Sequence, residues 1–183
     1  MEPFTLAVLG GAVAAEGVKF LYGQATELLT EWRARRAAPD GKVIEVPLAS
    51  SSALDRPAVA PSADPALVQA SQKDLIALSA GLSPYALGHA DIDLQDERLA
   101  ENTNALRLLL EGLYGVRLTF KGENRETTGT RLDIQQRLDA VHGSATGLEA
   151  RKLSGGADAS VRQEVREVGA DGTVTGAKID EIQ

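Results

Sequence analysis

Cysteine is absent from this chain of 183 residues. Its absence excludes a disulfide framework, a thiolate metal site and a cysteine nucleophile. Histidine occurs only at His89 and His142, in no HxxxH or HExxH pattern, so an imidazole metal centre has little to draw on. Aromatic residues make up 4% of the chain, and the core must therefore rest on Leu, Val and Ala, which bury less area per side chain. Positive charge is outnumbered, with 19 Lys and Arg against 26 Asp and Glu. A net charge of −7 lacks the basic face that displaces counterions from a phosphate backbone, so nucleic acid is not an expected partner.

Motifs for catalysis are missing in the same way. Gly10, Gly11 and Gly17 do not form GxGxxG after a strand, no GxxxxGK[ST] exists, and no serine sits in GxSxG. Acids cluster at Asp91, Asp93, Asp96 and Glu97. The spacing Asp91-x-Asp93-x-Gln95 opens like a calcium loop, but Asp96 stands where Gly is needed and Asn102 where Glu should chelate. His89, beside Asp91 and Asp93, is the one candidate general base, and no nucleophile or oxyanion hole accompanies it. No catalytic residue, cofactor or metal is expected. Residues 4–15 are apolar, yet no basic region precedes them and Glu16 and Lys19 follow. A spanning helix needs about 20 apolar residues and a signal peptide a basic start, so a cytoplasmic chain is expected.

What is present reads as α+β: a long N-terminal helix, a helical hairpin core and a C-terminal pair of β-hairpin pseudo-repeats. Over 4–36, Leu6, Leu9, Val13, Phe20, Leu21, Leu28 and Trp32 recur near helical spacing. Ala7, Gly11 and Ala15 form a strip of small residues suited to close helix approach, which makes 1–38 a candidate oligomerisation or membrane-proximal segment. Residues 39–65 hold a short extended run, Lys42–Pro47, and then Ser, Ala and Pro with no apolar period. They read as an extended linker, a tether or a segment lying along a partner. In 66–130, Asp64 and Pro65 start a helix closed by Gly81, Asp93 starts another closed by Gly115, and 116–120 alternate as a strand.

The most informative stretch is 131–183. Residues 133–153 align with 160–182: Ile134 meets Val161, Gln136 meets Gln163, Leu138 meets Val165 and Val141 meets Val168. Further on, Ala145 meets Val174, Ala150 meets Ile179 and Leu153 meets Ile182, with Ala170-Asp171 the sole insertion. Fixed-offset similarity marks units that bury each other's faces. The apolar period fits a helix at i, i+4, i+7 and also an alternating strand with a one-residue slip, the form that β-branched Val prefers. Strand–turn–strand in each copy is the expectation. Mixed charges, among them Arg137, Asp139, Glu164, Arg166 and Lys178, lie off the apolar face as cross-strand pairs or as guards against wrong partners. Gln136 and Gln163 sit where stacked amides could bond along a ladder.

Two functions fit these readings. The first is a non-enzymatic structural or interaction protein that forms homo-oligomers. Its contacts would be Ala7, Gly11 and Ala15 in the helix, and Ile134, Gln136, Leu138, Val141, Val161, Gln163, Val165, Val168, Val174 and Ile179 in the repeats. Its main partner is itself, with another protein at the linker or a β edge as a secondary one. The second is a membrane-active or signalling effector whose Gly/Ala-rich helix engages a membrane while the repeats drive assembly. Two short β pseudo-repeats after a helical region are similar in layout to fungal prion-forming signalling proteins of the HET-s kind, which implies repeat-driven assembly. The high charge of these repeats argues against a dry amyloid core.

Overall fold

Gly10 decides how the chain begins. Its φ of 74° takes the left-handed region open to glycine, so the expected single helix is split. A short 3-10 turn, Leu6–Val8, precedes it, and helix α1, Gly11–Ala37, follows. The computed structural model describes residues 4–37, 46–57, 62–150 and 158–180. They fall into two units, Met1–Thr128 and Gly129–Gln183.

In the first unit α1 is the central element. Ala14, Val18, Leu21, Ala25, Leu28 and Leu29 are buried at spacings of three and four, the stripe that a 3.6-residue period presents to one side. Helices α2 (Pro65–Ala70), α3 (Gln72–Ala86) and α4 (Glu97–Tyr114) complete the bundle. Asp64 caps α2 as the sequence indicates, its Oδ1 accepting from the Ala66 amide at 2.8 Å, with Pro65 at the first helical position. Gly81 does not close α3. It lies within the helix, where an added Cβ would come 3.2 Å from Asn102 of α4. The cap of α4 is Asp96 rather than Asp93, accepting from the Leu99 amide at 3.0 Å. Gly115, at φ 63°, ends α4 as expected. The alternating stretch 116–120 keeps only Val116–Arg117 as strand β1, and Leu54 makes an antiparallel bridge to Phe120.

The linker reading of 39–65 does not fit residues 46–57. Val46, Leu48, Ala53 and Leu54 are all buried in the core cluster. Backbone bonds hold the segment down, from the Asp55 amide to Thr119 O and from the Lys121 amide to Ala53 O, both 2.9 Å. Gln24 of α1 also holds it, its Oε1 accepting from the Ala49 amide at 2.9 Å. The proposed strand residues 42–45 lie outside the described residues.

The second unit consists of β2 (Gly129–Val141), β3 (Ser144–Ala150), β4 (Asp158–Val168) and β5 (Thr173–Ile179). All four are strands, which settles the helix-or-strand ambiguity of the repeats. Their pairing corrects the hairpin expectation. β2 pairs in parallel with β4 and β3 in parallel with β5, so each strand pairs with its counterpart in the other copy. The turn explains why. His142 and Gly143 alone separate β2 from β3, and a two-residue hairpin would need a positive φ at the first or at both of them. Neither has one. The chain therefore turns a corner into a second sheet, and each copy becomes one rung of a two-rung coil.

Candidate functional site: the stacked rungs

Register in the coil reproduces the alignment of the two repeats. Ile134 lies opposite Val161, Gln136 opposite Gln163, Leu138 opposite Val165 and Val141 opposite Val168. Ala145 lies opposite Val174 and Ala150 opposite Ile179; the pair Leu153 and Ile182 lies outside the described residues. The offset between rungs is 27 residues in the first sheet and 29 in the second. Ala170-Asp171 supplies the difference as a loop at the corner. The ladder continues past it, with the Gly169 amide donating to Val141 O at 2.9 Å and the Thr173 amide to Gly143 O at 2.8 Å. His142 lies at this corner, its Nδ1 only 2.8 Å from where a Cβ on Gly169 would stand. That position makes the imidazole part of the rung packing.

Between the two sheets the Gln136 and Gln163 amides meet at 2.8 Å. Oriented to satisfy its neighbours, the Gln163 amide donates to Thr175 O at 3.2 Å and accepts from the Gly147 amide at 3.1 Å on the facing sheet. On the outer faces the charges alternate in sign from rung to rung. Arg137 meets Glu164 at 3.1 Å, Asp139 meets Arg166 at 3.8 Å and Glu149 meets Lys178 at 3.5 Å. Charge density therefore does not oppose stacking within the chain, because each rung offers the opposite sign to the next.

The interior is only half covered. Ile134, Leu138, Val161, Val165, Val174 and Ile179 are each intermediate in exposure, whereas apolar residues of the first unit such as Leu21, Leu75 and Leu106 reach 0%. A two-rung coil covers each interior side chain along the coil axis from one side only.

The N-terminal candidates are not brought together in this way. Ala7 lies in the 3-10 turn, off α1, and Ala7 and Gly11 are exposed, with nothing within 4 Å of a Cβ on Gly11. Close approach in α1 falls instead on Gly17, where a Cβ would come 3.1 Å from the Phe120 ring. No helix among the described residues is long and apolar enough to cross a membrane.

Sequence reading also missed a buried ionic cluster in the first unit. Arg107 of α4 pairs with Glu123 and with Asn104, and its guanidinium lies 4.6 Å from the centre of the Phe4 ring. Burial lowers its pKa, against the opposing pull of Glu123. Glu111 pairs with Arg125 at 3.1 Å and accepts from the Leu118 amide at 2.8 Å. The terminal nitrogens of Arg107 and the Glu111 carboxylate are held by these partners, while Arg107 Nε is buried without a hydrogen-bond partner. His89 is exposed in the turn after α3, its amide donating to Pro84 O at 2.8 Å. No group of three metal-binding side chains occurs among the described residues. A cavity of about 310 Å³ lies between the N-terminal turn and the start of α4, and its Asp96 is taken up in capping.

Comparison with protein-family models, with curated proteins and with solved structures finds no match.

Proposed function

We propose that the chain is a structural or interaction protein that assembles with copies of itself through its C-terminal unit. The half-covered interior of the two-rung coil carries this reading. Stacked repeats reach stability when neighbours bury each face, and at least about three units are ordinarily needed. The β4–β5 end of the coil presents strand edges, and an uncovered edge binds further strands. A second copy offers the same interior residues, and opposite charges for Glu164, Arg166 and Lys178 at its own Arg137, Asp139 and Glu149.

Full-length protein examined by light scattering over a micromolar concentration series tests the reading. Mass should grow with concentration, and the product should show the strand repeat of about 4.7–4.9 Å along its axis. A monomer of constant mass would overturn it.

A further inference from the structure

The four glycines that the repeat alignment matches to one another, Gly143 with Gly172 and Gly147 with Gly176, divide into two that are crowded and two that are not. A Cβ on Gly147, in the first rung, would come 2.4 Å from Val161 Cγ1 and 2.6 Å from Gly176 O, both in the second rung. One on Gly172, in the second rung, would come 2.5 Å from Val141 O in the first. Real Cβ atoms do not approach so closely, so these two positions must stay bare for the rungs to pack. Their counterparts in the repeat are Gly176 and Gly143, and a Cβ on either would meet nothing within 4 Å. None of the four has a positive φ, so the backbone itself does not call for glycine. Gly176 faces where a third rung would lie above, and Gly143 where one would lie below.

A second observation singles out the upper end. Val141 is 6% exposed, covered by the rung above it, while its registered partner Val168 is 50% exposed. The charges give a third. Glu164, Arg166 and Lys178 each have an opposite charge beside them on the lower side, at Arg137, Asp139 and Glu149. A first rung from another copy would set the same three residues on their upper side.

We infer that copies stack head to tail. The β4–β5 edge of one copy receives the β2–β3 edge of the next, and Gly176 of the lower copy and Gly143 of the upper copy form the two sides of every junction. The inference rests on the self-assembly reading and adds its direction. Such an interface is heterologous and does not close, so it propagates, whereas like edges meeting about a two-fold axis would stop at dimers.

Gly176→Val and Gly143→Val, each in the full chain, test it. Val suits the strand at Gly176, and a Cβ at either position meets nothing within 4 Å in the single chain. Circular dichroism checks that the fold is kept, and Gly176→Ala and Gly143→Ala serve as smaller blocks if either Val variant fails that check. Each variant alone should remain monomeric, or grow slower than wild type by about tenfold or more, as expected for overfilling a packed junction. An equimolar mixture should give dimers and nothing longer, because one variant keeps a sound upper edge and the other a sound lower edge. Wild type that grows while both variants grow equally well would overturn the direction and leave self-assembly standing. So would a mixture that builds long species, or one that forms no dimers from two blocked variants. Wild type that never grows would instead overturn the assembly reading beneath it.

Discussion

Charged side chains default to the surface, and for that reason the Arg107–Glu123 pair could not be read from the sequence. GENRE (122–126) has the composition of a plain turn. The buried guanidinium is stabilised by Glu123, Asn104 and the Phe4 ring, while Glu123 also accepts from the Phe120 amide at 2.7 Å. Removing one partner leaves the other charge buried alone. Arg107→Ala and Glu123→Ala should each cost about 3–5 kcal/mol in denaturant unfolding. The double variant should cost less than the sum of the two, and additive losses would show that the pair is not coupled. Tyr114 offers a pH test at the same scale. Burial raises its pKa above the ordinary 10.0, while the hydrogen bond from Gln24 Nε2, 2.5 Å away, pulls the other way. A raised folded-state pKa means that the unfolded chain releases this proton first as pH rises. Its contribution is therefore complete below pH 10 and is lost above it, by about 1.4 kcal/mol per pH unit from this one group. Melting curves between pH 8 and 11 should show a steeper alkaline loss for wild type than for Tyr114→Phe, and equal slopes would contradict the assignment.

Elements were legible where a period or a cap marked them. The buried stripe of α1, the Asp64-Pro65 start of α2 and the Gly115 stop of α4 all appear in the sequence as local signals. Residues 46–57 were not legible, because a segment held by irregular backbone bonds has no period to find. Leu54 shows its weight: it is 2% exposed and bridges Phe120. Leu54→Ala should cost about 2–5 kcal/mol, a loss that a surface tether would not show. Two glycines give a contrasting pair. Gly122 has φ 92°, and an added Cβ would lie 2.8 Å from Val8 O, so Gly122→Ala strains the backbone and should destabilise by about 1–3 kcal/mol. Gly81→Ala meets only the end of the Asn102 side chain and recovers helix propensity of about 1 kcal/mol, so it should be near neutral. Thermal unfolding of the two variants side by side distinguishes strain from mere absence of a side chain.

At the scale of the molecule, alternation fixes which face a side chain takes but not which strand its neighbour is. The repeat alignment therefore gave the register residue by residue, while the choice between hairpins and parallel rungs depended on the φ values at His142 and Gly143. In the proposed stack, every charged pair within the chain becomes the pattern for the junction between copies, so a change at one position acts at both. Arg137→Glu places like charges beside Glu164 within the chain and again across each junction. Exposed pairs of this kind are worth about 0.2–1 kcal/mol each, so the concentration at which growth begins should rise between about twofold and tenfold. Adding Glu164→Arg restores the alternation with the signs exchanged, and growth should return to near the wild-type level. Salt near 1 M, where the screening length falls to about 3 Å, should narrow the gap between single variant and wild type. A double variant as impaired as the single one would mean that residue identity rather than paired charge matters at this position, and that the outer ladder does not guide the stacking.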